Sequence, residues 1–187
     1  GDRLIGAARC LADEHIVLGT SVGLALRFPE QKLRNQGRAT RGVRGIRLRD
    51  GDRVVNLFVV DNSATLLTVC QKGFGKRTPF ADYRVTNRGG KGIINVKRSD
   101  KTGDVIGILS VREEDDCMIT TSAGMMVRMP VASIRTTGRN AQGVRVVTLR
   151  EGDTVASVAR IEQEPESGIP AAAGKTPLPA APAPDAT

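Results

Sequence analysis

Residues 51–80 read GDRVVNLFVVDNSATLLTVCQKGFGKRTPF, and this stretch decides the fold. Arg53 to Val60 is a run of β-branched and aromatic residues that suits a strand. Asp61-Asn62-Ser63 is a turn cluster, and Ala64 to Cys70 is a second strand. Gln71-Lys72-Gly73 turns the chain into a third, Gly75 to Phe80. A longer basic loop then leads to a fourth, Gly92 to Lys97. No segment of the chain shows a sustained 3.6-residue pattern between caps, so no helix is expected.

The same plan recurs on either side of this stretch. Gly-Asp pairs stand at Gly1-Asp2, Gly51-Asp52, Gly103-Asp104 and Gly152-Asp153. A Gly-x-x-x-Arg landmark runs from Gly23 to Arg27, Gly73 to Arg77 and Gly124 to Arg128, with spacings of 50 and 51 residues. An Arg-x-x-x-Gly landmark runs from Arg38 to Gly42, Arg88 to Gly92 and Arg139 to Gly143, with the same spacings. Four short strands in about 50 residues, repeated, is the signature of a propeller blade. The reading is an all-β, propeller-like domain. It has three antiparallel four-stranded blades, over 1–50, 51–102 and 103–151, and a closing strand over 152–162. One blade cannot bury both faces, so blades stack around an axis, and three of them make an arc. Residues 163–187 hold six of the nine prolines and seven alanines. With no apolar periodicity, that tail is expected to be disordered.

The chain carries a formal charge of +8 and a pI near 10.0. Beyond residue 160 the balance is −3, from Lys175 against Glu162, Glu164, Glu166 and Asp185, which leaves 8 + 3 = +11 on the first 160 residues. A body that basic points to a polyanion, most often nucleic acid. Aromatics are scarce, with four Phe, one Tyr and no Trp. Single-strand binders stack bases on aromatic platforms, so duplex contact through phosphates fits better. No stretch approaches the roughly 20 apolar residues of a membrane span, and no signal peptide is read, which favours the cytoplasm.

Enzyme motifs are missing or broken. Gly75-Lys76-Arg77-Thr78 resembles the end of a P-loop, but Cys70 stands where its first glycine belongs. Cys10, Cys70 and Cys117 form no C-x-x-C pair and read as small apolar strand residues of a reduced protein. His15, the single histidine, lacks partners for a metal site or a triad. Asp115-Asp116, after Glu113-Glu114, reads as a solvated turn. No catalytic residue, metal or cofactor is assigned to this chain.

The basic residues are better placed. The loops before each last strand hold Arg38, Arg41 and Arg44, then Arg84, Arg88 and Lys91, then Arg135, Arg139 and Arg145. Repetition puts equivalent residues at equivalent places, so these nine should line one rim, as a bent duplex requires. Glycines beside them, as in Arg88-Gly89-Gly90-Lys91-Gly92, let backbone approach phosphates. Arg27, Arg77 and Arg128 fall on strands and are expected to matter less for binding.

Three motifs carry a resemblance. They are Thr40 to Leu48 (TRGVRGIRL), Gly73 to Pro79 (GFGKRTP) and Thr137 to Arg145 (TGRNAQGVR). In order, they resemble the last blades of the C-terminal domain of the DNA gyrase A protein, over roughly residues 1–162. The resemblance implies a six-bladed β-pinwheel whose blades exchange strands and whose basic perimeter wraps duplex DNA. It implies membership of an ATP-dependent type II topoisomerase that introduces negative supercoils. Its expected partners are double-stranded DNA, the gyrase B protein and a second gyrase A protein, with ATP and Mg held by the B protein. The hallmark box of the family's first blade, Q-R-R-G-G-(R/K)-G, has only the degenerate copy Asn87 to Gly92 here. About three blades and the breakage-reunion region with its nucleophilic tyrosine are not in this sequence, and Tyr83 matches a structural blade position. Two alternatives stay open. One is the C-terminal domain of the topoisomerase IV A protein; the other is a protein-interaction propeller, though this chain lacks the G-H and W-D marks of WD40 blades.

Overall fold

The computed structural model describes residues 4–163. Its strands are β1 (His15–Thr20), β2 (Leu24–Pro29), β3 (Val54–Val59), β4 (Thr65–Cys70), β5 (Phe74–Pro79) and β6 (Ile93–Ile94). They continue as β7 (Val105–Val111), β8 (Asp116–Thr121), β9 (Met126–Pro130), β10 (Val144–Arg145) and β11 (Val155–Ile161). The other regular elements among the described residues are three single 3₁₀ turns, Glu30–Lys32, Phe80–Asp82 and Val131–Ser133. No helix there is long and apolar enough to cross a membrane. The all-β reading holds, and the tail expectation falls outside the described residues apart from Gln163.

The strands form three antiparallel sheets, in the orders β3-β1-β2-β6, β7-β4-β5-β10 and β11-β8-β9. These sheets do not follow the units 1–50, 51–102 and 103–151. Of the four strands between Arg53 and Lys97, only β4 and β5 pair with each other. β3 joins β1, and β6 joins β2, so both edges of the first sheet come from the second unit. The second sheet is completed likewise by β7 and β10. The third has three strands among the described residues, because nothing there pairs with the outer side of β9. The expectation of three contiguous four-stranded blades is corrected to exchanged sheets of four, four and three strands.

The Gly-Asp landmark shows what directs the exchange. Asp52 Oδ1 accepts hydrogen bonds from Ser21 Oγ at 2.9 Å, the Val22 amide at 3.1 Å and the Arg53 amide at 2.9 Å. The carboxylate thus ties the start of β3 to the β1–β2 turn, and β3 adds to β1 instead of folding back on β4. Asp153 repeats the device on Ser122, Ala123 and Thr154, tying β11 to the β8–β9 turn.

β3 packs on β7, and β7 on β11. Close approach of the sheets uses glycines: a methyl group at Gly19, on the adjoining β1, would lie 2.1 Å from Ile108 Cδ1 of β7, and one at Gly107 of β7 would lie 2.4 Å from Val158 Cγ1 of β11. β3, β7 and β11 define the inner edge, which leaves β6 and β10 outermost. In β4, Leu66 enters the core shared with the first sheet and Leu67 the core shared with the third. Successive side chains point to opposite faces, so the middle sheet is buried on both. β9, by contrast, alternates exposed and half-buried positions.

Two local expectations change. Asp115 and Asp116 are buried, not solvated. Asp115 meets Arg160 at 2.7 Å and Asp116 meets Arg128 at 2.7 Å, so cationic partners offset the desolvation. Cys70 and Cys117 do lie buried in strands, but Cys10 lies in the irregular segment before β1; all three are free thiols.

Candidate nucleic-acid interface

β2, β5 and β9 all end in proline, at Pro29, Pro79 and Pro130, and each runs into a 3₁₀ turn. Proline cannot donate to a sheet ladder, so the strand stops and the chain leaves as a loop. The basic loops start here, and the second and third end at the outermost strands β6 and β10.

The second and third loops are each laid on the sheet before them. The Thr86 amide donates to the Arg27 carbonyl at 2.9 Å, and the Thr137 amide to the Arg77 carbonyl at 2.8 Å. The side chains of the same arginines hold the same connection. Arg27 Nη1 donates to the Phe80 carbonyl at 2.8 Å, and Arg77 Nε to the Ile134 carbonyl at 2.7 Å. At Arg27 and Arg77 the Gly-x-x-x-Arg landmark is therefore a staple between units, whereas Arg128 pairs with Asp116 on the neighbouring strand. Arg27 also donates to His15 Nδ1, and burial followed by the nearby guanidinium pushes the imidazole pKa down. His15 is an acceptor in this staple.

The nine rim residues divide into three kinds. Arg38, Arg41, Arg44, Arg84, Lys91 and Arg135 are exposed, and their side chains have no hydrogen-bond or ion-pair partner among the described residues. Arg88 and Arg139 are half-buried clamps. Arg88 donates to the carbonyls of Arg44 and Lys32, bringing the first and second loops together. Arg139 donates to the Ile94 carbonyl at 2.8 Å, the matching position one unit on. Arg145 stands in β10 itself, exposed, with its guanidinium 5.7 Å from the Phe74 ring centroid. Arg38 is clamped to nothing and shares no contact with the other two of its column.

Two features escaped the sequence reading. Exposed Arg47, Arg49, Lys97 and Arg150 follow the outermost-strand segments and extend the basic edge; their shared repeat columns were a usable signal. Lys76 is fully buried, and its Nζ donates to the carbonyls of Gly138 at 2.7 Å and Arg139 at 2.6 Å. Burial pushes its pKa down to about 8. The signal was a lysine where the other units carry Leu26 and Val127. Lys76 holds the carbonyl side of the loop whose arginine reaches Ile94.

No group of three His, Cys, Asp or Glu among the described residues could hold a metal ion. Tyr83 is buried, its hydroxyl donates to Asn95 Oδ1, and burial raises its pKa. It braces the core and is not presented to a substrate. The arrangement offers an outer edge of guanidinium and ammonium groups on loops held by backbone staples. Such an edge can neutralise phosphates.

The family described as DNA gyrase C-terminal domain, beta-propeller, matches residues 14–61, 64–112 and 115–162. Each match contains the two core strands and the inner strand of one sheet. The DNA gyrase A protein of Staphylococcus aureus (strain NCTC 8325 / PS 47) is 44% identical over 167 residues, 88% of this chain and 19% of that protein. The gyrase A protein of Chlamydia muridarum (strain MoPn / Nigg) is 42% identical over 170 residues, 90% of this chain and 20% of that protein. The chain therefore spans about a fifth of the length of these relatives. A solved DNA gyrase A C-terminal domain superposes with a TM-score of 0.76 at 27% identity, covering 83% of this chain and 53% of that one. The C-terminal domain of DNA topoisomerase IV superposes with a TM-score of 0.75 at 22% identity, covering 80% and 47%, a likeness of fold alone. Matched strand for strand across its three sheets, the chain belongs to the DNA gyrase C-terminal domain family.

Proposed function

We propose that this chain binds duplex DNA along the outer edge of its sheets, contacts phosphates without reading sequence, and curves the duplex as part of a gyrase. The observation that carries this reading is the set of six exposed loop cations without intramolecular partners, repeated beside the outermost strands of successive units. Arg88, Arg139 and Arg145 contribute charge from more constrained positions. The gyrase relatives at 44% and 42% identity favour that assignment over topoisomerase IV, where the likeness is one of fold. On this reading the protein acts in the cytoplasm. Strand breakage, ATP and Mg belong to other parts of an assembly with the gyrase B protein and a second gyrase A protein.

The test is a salt titration of the 187-residue chain on two duplexes of unrelated sequence. Replacing Arg41, Arg84 or Arg135 with Ala should flatten log affinity against log salt by about 0.9 each, equally on both duplexes. These variants should melt like the parent. Arg88→Ala and Arg139→Ala should flatten the slope and also lower the melting temperature, since each leaves a carbonyl of the preceding unit unpaired. Unchanged slopes in the exposed set, or a strong preference for one duplex, would sink the proposal.

A further inference from the structure

Lys76, in β5, is fully buried, and its ammonium donates to two backbone carbonyls, those of Gly138 and Arg139. An ammonium has three N–H groups, so one is left without an acceptor among the described residues. None of the ion pairs there includes it. Burying a cation without a countercharge costs far more than burying an apolar chain. Seating a loop does not require that cost. The same column holds Leu26 under the second loop, where a methyl group on Gly90 would lie 3.5 Å from Leu26 Cδ1, and Val127 in β9.

What covers the ammonium is thin. From Gly138 to Gln142, the single backbone-to-backbone bond among the described residues is internal, from the Ala141 amide to the Gly138 carbonyl at 3.3 Å. The second loop, by contrast, is tied to the first at both Gly89 and Gly90. The bonds that pin 138–142 from outside come from two cations: Lys76, and Arg139 reaching the Ile94 carbonyl. Gly138 and Asn140 are exposed, and beside them opens a recess of about 440 Å³ lined by Asp82, Gly138, Arg139, Asn140 and Ala141. The ammonium thus lies one backbone layer beneath the basic edge, under the loop that links exposed Arg135 to exposed Arg145. Cys70 of β4, Asp82 of the turn after β5 and Arg139 of the loop are the charged or titratable groups that act on it. The Cys70 thiol is pushed up to about 11 and stays neutral, and Asp82 is exposed, where water and salt screen it. Neither supplies the missing countercharge.

We propose that Lys76 is a concealed phosphate contact: the 138–142 loop is a lid that lifts when duplex DNA lies on the outer edge, and a backbone phosphate replaces the two carbonyls. This rests on the phosphate-edge reading above and adds to it a cation that the closed structure hides. The exchange sets an anionic acceptor in place of neutral ones, and charge-assisted bonds of that kind are the stronger. It also returns the Gly138 and Arg139 carbonyls to water. Under the lid, burial holds the lysine near 8; beside a phosphate it returns to its ordinary 10.5 or above, so binding takes up a proton between those values.

Two measurements on the 187-residue chain test this. Calorimetric titration with a duplex of about 30 base pairs at pH 9, in buffers of different ionisation enthalpy, counts protons: the parent should take up about 0.9 more than Lys76→Met. At pH 7 that difference should fall to about 0.1. The α-amino group is common to both chains and cancels. The second measurement needs no variant. A duplex with aldehyde tethers on its backbone, reduced with cyanoborohydride, traps the lysines that stand beside phosphates. Exposed Lys91 should be trapped, and Lys76 to within tenfold of it. Trapping of Lys91 without Lys76 overturns the proposal, and so does equal proton uptake by parent and variant. Trapping of neither lysine overturns the phosphate-edge reading along with it.

Discussion

Lys76 is a buried cation whose chemistry lies well away from its ordinary value. Its ammonium is enclosed beneath the loop that carries Arg139, and Cys70, Asp82 and Arg139 are the titratable or charged groups that act on it. Burial lowers the folded pKa to about 8, while the unfolded chain keeps a lysine near 10.5. Between those values the unfolded state binds more protons, so this group makes stability rise with pH from about 8 to 10.5. Tyr83, Cys70 and Cys117, whose pKa values burial raises, act in the opposite direction above pH 9. Lys76→Met isolates the lysine: the parent should gain up to about 3 kcal/mol on the variant across that window. Chemical denaturation at pH 7.5, 9 and 10.5 measures it, and parallel curves would refute the assignment. The basic rim was legible in sequence as a column of charges. Which of those charges are tied down was not, because the acceptors of Arg88 and Arg139 are backbone carbonyls about 45 residues away, and every residue type has a carbonyl. Asp115 was misread for a similar reason: its partner, Arg160, lies 45 residues on.

At the scale of elements, the Gly-Asp latch governs strand exchange. Asp52 accepts three hydrogen bonds, two of which join two units, and Asp153 repeats them. Asp104, in the same column, faces Gln71 where the others face serine, and forms a half-exposed ion pair with Arg98 at 2.7 Å. Asp52→Ala should therefore cost about 1–2 kcal/mol and speed amide exchange across Val54–Val59. Asp104→Ala should cost under about 1 kcal/mol. Denaturant melts and amide exchange of the two variants test the contrast; equal costs would mean that the latch does not direct β3. The period of about 50 residues, the hairpins and the turn glycines were all readable, because local hydrophobic pattern and positive φ requirements encode them. The partner of each strand was not readable from the repeat itself; only the resemblance implied the exchange that the sheets show. A repeat has the same period whether its strands pair within a unit or across two.

Over the whole molecule, the six exposed loop cations imply a salt slope near −5 and a loss of about 10³ in affinity between 50 and 200 mM salt. Bending a site of 20–30 base pairs by 40–90° costs about 1–6 kcal/mol. That is comparable to the electrostatic gain, so curvature should be present at 50 mM and largely lost at 200 mM. Relaxing a plasmid with a type I topoisomerase in the presence of the chain should leave a linking-number shift at the lower salt. The shift should vanish at the higher salt and in a variant lacking Arg41, Arg84 and Arg135. A shift that survives both changes would mean that another surface bends the DNA.

Strand exchange also sets a timetable for synthesis. The first sheet opens with His15, but its outer strand ends at Ile94, after the β4–β5 hairpin of its neighbour has already been made. The second opens at Thr65 and waits for Arg145. A nascent chain leaving the ribosome therefore never holds a finished sheet without a half-built one beside it. Stalling or cleavage at a repeat boundary would strand two sheets at once, and the cell's quality control would meet paired defects in place of single ones.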